Sequence, residues 1–247
     1  MSRAISHSQV VGSYDAEEFA LENGGVAAEM LLRAIRYQNG EGITRDLRKA
    51  CALIREAAHL GNSTAQFSLG TYLEHGIGTR KDVVESARWY RAAAMGGSVD
   101  AQYALGTCYA EGLGVPRNAK WAFGWYLKAA MQGDDFGQYA VGLCWKYGRG
   151  VRRDARRGFR WLLASAQQGF APAQFSVGVC YSRGEGVKRS KREALKWYRL
   201  SADQGDADAQ HNLRVLESGS SNGTALARAQ KRKSRIASPP SRGKIGG

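Results

Sequence analysis

The few residues whose types and spacing could support catalysis lie far apart. Ser241 and Lys244 have the Ser-x-x-Lys spacing of a serine acyl-transfer pair, but no Lys-Thr-Gly motif follows them. The sequence also has no Gly-x-Ser-x-Gly elbow and no phosphate-binding P-loop. The histidines are scattered, at His7, His59, His75 and His211. We therefore predict that the protein is not an enzyme.

The cysteines offer neither a metal site nor a disulfide framework. There are four, and the last three are 36 residues apart: Cys51, Cys108, Cys144 and Cys180. No Cys-x-x-Cys or Cys/His cluster occurs, so we predict no metal and no cofactor. Neighbouring helix layers pack about 10 Å apart, beyond the Cα reach of a disulfide. We expect small thiols packed between helices.

The 36-residue spacing of the last three cysteines also recurs at many other positions. This repeat indicates the secondary-structure elements that position all other residues. Three glycine columns and one tryptophan column recur, with Ala34 and Leu53 as substitutes in the first copy. They are Gly70, Gly106, Gly142 and Gly178; Gly40, Gly76, Gly112, Gly148 and Gly184; Gly42, Gly78, Gly114, Gly150 and Gly186; and Trp89, Trp125, Trp161 and Trp197. Units of fixed period bury their apolar faces by stacking on neighbours, so the pattern predicts a solenoid.

Each unit has the pattern of a helix, a glycine turn, a second helix and another glycine turn. Ala65, Leu69 and Leu73 have helical spacing, and Gly76 and Gly78 end that helix in a turn with positive φ. A capping column then starts the second helix: Asp46, Asp82, Asn118, Asp154 and Ser190. The units span 27–62, 63–98, 99–134, 135–170 and 171–206. For residues 207–217 we predict a C-terminal capping helix.

The repeated string resembles a known family. Ala-Gln-x-x-Leu-Gly-x-x-Tyr, Gly-x-Gly-Val, a capping Asp and Ala-x-x-Trp-Tyr-x-x-Ala-Ala-x-x-Gly together are similar to the SEL-one-like repeat (SLR), which is related to the tetratricopeptide repeat. The matching segments are 65–97, 101–133, 137–169 and 173–205. The resemblance implies an all-α fold, an α/α superhelical solenoid of about five 36-residue helix-turn-helix repeats with a C-terminal capping helix. It also implies a concave groove and an adaptor role, and the family has no common catalytic residues.

An aromatic column would line the groove if the first helix of each unit faces it, as in tetratricopeptide arrays. The column contains Leu31, Phe67, Tyr103, Tyr139, Phe175 and His211. These rings either anchor a bound peptide or helix or pack between adjacent units. Neighbouring positions differ from unit to unit, and this variation either sets partner specificity or reflects an unconstrained surface. The variable positions include Glu74, His75, Glu111, Lys146, Tyr147 and Arg183.

Two further columns suggest structural roles. The tryptophans at the repeat spacing are expected in the core. The glutamines Gln66, Gln102, Gln138, Gln174 and Gln210 are expected to bond to the turn of the next unit.

The charge pattern gives a second candidate surface. The chain has a net charge of +14, and basic residues recur in the turns between the paired helices: Arg80, Lys81, Arg117, Arg152, Arg153, Lys188 and Arg189. Such a stripe attracts nucleic acid, anionic lipid or acidic protein; alternatively, it is a solvated edge. Aromatic residues are not interleaved with these basic residues, which disfavours single-strand stacking.

The sequence divides into three segments. Residues 1–23 form an N-terminal extension that we expect to be poorly ordered or partly helical, 24–217 form the solenoid, and 218–247 form a polar, basic tail that we expect to be disordered. The tail contains Lys-Arg-Lys-Ser-Arg at residues 231–235, which suggests either a nuclear address or an electrostatic anchor. Ser234 and Ser238 lie among arginines, so phosphorylation there would switch the tail. Without a signal peptide or an apolar span, a cytoplasmic location is expected.

These features together predict a non-enzymatic scaffold that binds a protein or peptide partner in the groove. The alternative is a protein that binds nucleic acid or an anionic surface through the basic turns and the tail. The oligomeric state is not indicated by the sequence.

Overall fold

The computed structural model describes residues 25–218. The expectations for residues 1–23 and for the basic tail beyond residue 218, including Ser241 and Lys244, lie outside them. The described residues form eleven helices and no strand, as the repeat predicts. The helices are α1 Val26–Asn39, α2 Leu47–His59, α3 Ser63–His75, α4 Val83–Met95, α5 Val99–Glu111, α6 Ala119–Met131, α7 Asp135–Tyr147, α8 Ala155–Gln167, α9 Ala171–Arg183, α10 Lys191–Asp203 and α11 over residues 207–218.

The odd-numbered helices from α1 to α9 are the first helices of the five repeats, and the even-numbered ones are the second helices. Contacts divide the chain into two compact units, Met1–Ser165 and Ala166–Gly247, with the boundary inside α8. In the first unit, α1 to α7 pack in chain order, each against the next. In the second unit, α9 packs against α10, and Leu213 of α11 packs against a core cluster of Ala194, Tyr198 and Ala209. No described helix has the length and apolar character needed to cross a bilayer.

The predicted capping column begins the second helices. The Asp82 side chain accepts hydrogen bonds from the backbone N–H groups of Val84 and Glu85, at 3.0 and 2.9 Å. These bonds satisfy donors that have no partner within the helix. The same caps form at Asp46, Asn118, Asp154 and Ser190. The capping prediction is therefore confirmed in all five repeats.

Glycines end the first helices and bring the repeats together. Gly76 has a left-handed backbone with φ 71°, and every positive φ in the described residues belongs to a glycine. A side chain on Gly78 would also clash with the Leu47 carbonyl group at the start of α2, and one on Gly114 would clash with that of Val83. Larger residues at this column would force successive repeats of the first unit apart.

The side chains of the glutamine column bond to the preceding repeat, whereas we expected them to bond to the next one. The Gln102 amide donates to the carbonyl oxygen of Ala94, near the end of the preceding second helix, at 3.3 Å. Its Oε1 accepts a hydrogen bond from Gln132 Nε2 at 2.9 Å. The expectation that these amides bond to the next unit's turn was wrong, because the first helix begins beside the carbonyl end of the helix before it. The same backward bond forms at Gln66, Gln174 and Gln210.

Candidate functional site

The first-helix face of the first unit is the surface formed by Phe67, Tyr103 and Tyr139 with their neighbours on α3, α5 and α7. These three rings are each half-buried and recur once per repeat. Leu31, at the same position of α1, is only 6% exposed and therefore belongs to the core. In the second unit, Phe175 is half-buried and His211 is exposed.

Phe67 and Tyr103 also pack against the second helix of their own repeats. The ring centroids of Phe67 and Tyr90 are 5.7 Å apart, and those of Tyr103 and Tyr126 are 5.4 Å apart. Tyr103 further contacts Phe136 at the start of the next repeat, at 5.7 Å. The column therefore supports the repeats through packing, and its half-exposed rings still present apolar surface to solvent.

The tyrosines of the second helices place buried hydroxyl groups beneath this surface. Gly70 has no side chain, so the Tyr90 ring passes beside it and its hydroxyl donates to Glu74 Oε2 at 2.7 Å. Burial, together with the Glu74 carboxylate, raises the pKa of Tyr90 well above its usual range, so the phenol stays a neutral donor. In the next repeat, the Tyr126 hydroxyl donates to Thr107 Oγ1 at 3.2 Å. The second and third repeats thus each hold a tyrosine hydroxyl close to Phe67 and Tyr103, and the equivalent residue of the fourth repeat is Leu162.

The variable positions differ in charge along the first unit. Glu74 on α3 is half-buried, and Glu111 at the end of α5 is exposed. Lys146 on α7, at the position equivalent to Glu74, is only 8% exposed, with its Nζ 5.5 Å from the Tyr147 ring centroid. Tyr147 itself is 55% exposed. The acidic residues Glu74 and Glu111 therefore lie on the second and third repeats, and the basic residue Lys146 lies on the fourth.

The remaining variable positions lie at helix ends. His75 ends α3 and Arg183 ends α9, and both are exposed. Arg183 belongs to the second unit, where its Nη1 lies 3.8 Å from Glu185.

The turn stripe has a structural component that sequence reasoning missed. All seven predicted residues are exposed: Arg80, Lys81, Arg117, Arg152, Arg153, Lys188 and Arg189. Arg153 Nε donates to the carbonyl oxygen of Lys146 at 3.0 Å, and Arg45 Nε donates to that of Gln38 at 2.9 Å. These carbonyl groups lie at first-helix ends, where they lack helical partners. The basic residue at this position in the first and fourth repeats is thus explained in part by helix capping.

A second group of aromatic residues also escaped the sequence analysis. The guanidinium carbon of Arg157 lies 4.8 Å from the Trp145 ring centroid, and the ring centroids of Tyr109 and Trp121 are 5.5 Å apart. The signal was present in the sequence, since these pairs share a 12-residue separation in consecutive repeats. These contacts involve residues outside the turn stripe, for which the sequence analysis made no prediction.

The expected packing residues lie largely in the core. Trp125 and Trp197 are each 9% exposed, and Trp89 and Trp161 are half-buried. All four cysteines are buried, and none of them forms a disulfide bond. Burial raises the pKa of the Cys108 thiol to about 12 and that of Cys144 to about 11. Such thiols are poor nucleophiles because little thiolate forms at neutral pH. Across residues 25–218, no group of three or more His, Cys, Asp or Glu side chains could hold a metal ion.

Comparisons with known proteins agree with the repeat architecture. The Sel1 repeat profile matches residues 30–62, 63–98, 99–134, 136–170 and 171–206. A Sel1 repeat protein from Oxalobacter formigenes is 33% identical with a TM-score of 0.72, over 76% of this chain and 74% of that one. No curated protein matches the chain significantly.

Two further solved structures are similar over most of the chain. A protective antigen of uropathogenic Escherichia coli strains with an SLR fold is 35% identical, with a TM-score of 0.75. The similarity covers 82% of this chain but only 43% of the antigen, so this chain spans less than half of that protein. A putative Sel1 repeat protein from Klebsiella pneumoniae, 18% identical with a TM-score of 0.50, shares the fold.

Proposed function

Because the chain belongs to the Sel1 repeat family, whose members are generally non-enzymatic protein-interaction scaffolds, we propose that it binds a protein partner through the first-helix face. The bound element is a peptide segment, either extended or helical. The partner's apolar side chains contact the half-exposed rings, and its polar groups contact the variable positions around them.

The observation that carries this proposal is the row of half-buried rings at Phe67, Tyr103 and Tyr139. They repeat at the spacing of the helices, so an elongated ligand meets one ring in each repeat. Aromatic side chains are frequent anchors in protein interfaces, because they bury a large area with few rotatable bonds. Since Phe67 and Tyr103 are already packed against the second helices, these two rings lose little side-chain entropy on binding.

The charges around the rings suggest a direction for the partner. Glu74 and Glu111 favour a basic group on the partner near the second and third repeats, and Lys146 favours an acidic group near the fourth. A segment bound in the reverse direction would bring like charges together. The same groups give the site specificity as well as attraction.

The alternative partner, a nucleic acid or an anionic surface bound by the turn stripe, has less support as the main function. Arg153 and Arg45 each donate to a first-helix carbonyl oxygen. Among the residues of the turn stripe, Arg153 therefore has a structural role that needs no ligand to explain it. The two proposals also differ in their response to salt, because phosphate binding weakens steeply as ionic strength rises.

A capture experiment with the full chain tests the proposal. Wild-type protein and the variant Tyr103→Ala/Tyr139→Ala are immobilised, and nuclease-treated extract of the source organism is applied at low and high salt. We expect a defined protein that the wild type retains at high salt and that the variant loses. Tyr37→Ala/Tyr181→Ala is the matched control, because it removes two half-buried rings that lie at a different position of the first helices.

The variant Arg80→Glu/Arg152→Glu tests the alternative. It reverses two exposed charges of the turn stripe without removing either of the observed carbonyl caps. Under our proposal it retains the captured protein. Loss of binding in this variant, with retention in Tyr103→Ala/Tyr139→Ala, would contradict the proposal and favour the stripe. Circular dichroism of every variant verifies that the helices remain folded.

A further inference from the structure

A dense cluster of positive charge lies in the fourth repeat of the first unit. Residues 149–160 contain six arginines and one acidic residue, Asp154. Asp154 caps α8 and pairs with Arg157 at 3.4 Å. All six arginines are exposed: Arg149, Arg152, Arg153, Arg156, Arg157 and Arg160. One carboxylate leaves most of this charge uncompensated, so the cluster attracts a polyanion.

Aromatic rings lie directly beside this cluster. Arg157 lies over the Trp145 ring at 4.8 Å, and Trp145 meets the edge of Phe123 on the preceding second helix at 5.6 Å. Trp121, two residues before Phe123, is 55% exposed. Its ring centroid lies 5.5 Å from that of Tyr109. The positions of Trp121 and Arg157 are equivalent in consecutive repeats, so an exposed ring and the cluster share one surface.

We propose that this surface, formed by Trp121, Arg156, Arg157 and Arg160, binds single-stranded nucleic acid. The arginines contact consecutive phosphates, and an unpaired base stacks on the Trp121 ring. Single-strand-binding proteins combine these two elements, a positive surface that follows the backbone and aromatic rings that accept bases of any sequence. The surface is separate from the first-helix face, so it adds a second ligand to the proposed scaffold.

The exposed ring favours a nucleic acid over an acidic peptide. Carboxylates would also pair with the arginines, but they gain nothing from an aromatic face, which carries negative charge density. Bases gain stacking energy from such a face. Duplexes gain less, because their bases are already stacked on one another. The combination of charge with an open ring therefore points to a single strand.

Fluorescence anisotropy with the full chain tests this inference. The probes are a labelled 20-nucleotide oligouridylate, a duplex of equal length and a glutamate-rich peptide. We expect the single strand to bind most tightly, and Trp121→Ala to weaken it by roughly tenfold. Trp121→Phe, which keeps a ring, should retain most of the affinity. The duplex should be almost insensitive to both changes, because neither alters the charge.

The arginines are tested against a matched control of equal charge. Arg156→Ala/Arg160→Ala should weaken binding of the single strand strongly. It should also reduce the magnitude of the slope of log K against log salt by about 1.4, since each phosphate contact with a single strand contributes about 0.7. Arg80→Ala/Lys81→Ala removes the same charge from the second repeat and should have a much smaller effect. Equal effects of the two pairs, unchanged binding by Trp121→Ala or tighter binding of the acidic peptide would each overturn the inference. None of these results depends on whether the first-helix face binds a protein.

Discussion

The ring of Tyr126 occupies the space that a side chain at Gly106 would need: a methyl group there would lie 2.6 Å from Cδ1 of the ring. The same relationship joins Gly70 to Tyr90 at 2.6 Å. The glycine lets the two helices of a repeat approach, and the buried tyrosine hydroxyl then bonds to a first-helix side chain, Glu74 for Tyr90 and Thr107 for Tyr126. One glycine column thus links repeat packing to the proposed binding surface.

Replacing this glycine should destabilise the protein. Gly106→Ala forces the Tyr126 ring to move in a packed core, and we expect it to lower the free energy of unfolding by about 1–3 kcal/mol. Gly124→Ala is the matched control, because a side chain there meets nothing within 4 Å. The control should gain up to about 1 kcal/mol from higher helix propensity. Urea denaturation measures both, and equal stability of the two variants would contradict this packing account.

Much of the fold follows from the sequence because the period is regular. The second helices begin at Leu47, Val83, Ala119, Ala155 and Lys191, each 36 residues after the last, and each begins after a residue of the predicted capping column. Glycine turns and small residues at the helix crossings leave few other arrangements of such units. Local chemistry was therefore enough to place the helices.

The surfaces were harder to predict because they depend on which columns meet across helices. The sequence shows that Trp145 and Arg157 exist, but only the packing of α7 and α8 places the guanidinium over the ring. Likewise, the Gln102 amide bonds to Ala94 of the preceding repeat, because the first helix of one repeat begins beside the carbonyl end of the helix before it. A repeating basic residue such as Arg153 looks like a ligand site until its bond to the Lys146 carbonyl oxygen is known.

The capping aspartates should make stability depend on pH. Asp46 accepts a hydrogen bond from the backbone N–H group of Lys49, and Asp154 accepts one from that of Arg157. These bonds are the largest reason that the pKa of each aspartate lies below its usual value. Because the folded-state pKa is lower than the unfolded one, the stabilisation is complete above the unfolded value. It is lost as the pH falls through the folded value.

Asp154→Asn should therefore show a shallower loss of stability between about pH 5 and pH 2 than the wild type. The amide still accepts a capping hydrogen bond, as Asn118 does in the third repeat, but it does not titrate. Thermal denaturation across this pH range provides the measurement. An identical pH dependence for wild type and variant would show that this cap does not contribute.

The glutamine column should stabilise the interior repeats more than it stabilises the C-terminal helix α11. Gln102 is 5% exposed and bonds to both Ala94 and Gln132, so Gln102→Ala leaves polar partners in a buried site and should cost about 1–3 kcal/mol. Gln210 is exposed and makes the corresponding bond to Ala202. Gln210→Ala should therefore cost clearly less in the same urea titration. A larger loss at Gln210 would contradict this difference.

The buried cysteines should be unreactive in the folded protein. Burial raises the pKa of Cys108 to about 12 and that of Cys144 to about 11, and Cys51 and Cys180 are also buried. A disulfide reagent such as Ellman's reagent should modify none of the four rapidly at pH 8 and all four in denaturant. Rapid modification of the native protein at any of these positions would contradict the packing described.

The most direct test of the central claim, that the first-helix face binds the partner, is site-specific photo-cross-linking. A photoreactive residue replaces Glu111, which is exposed beside this face, or Arg88, which is exposed on α4 at the position where Gly124 lies on α6. The captured partner is irradiated with each variant. We predict a cross-linked product from position 111 and little or none from position 88. Cross-linking from position 88 alone would place the partner on the second helices and contradict the account.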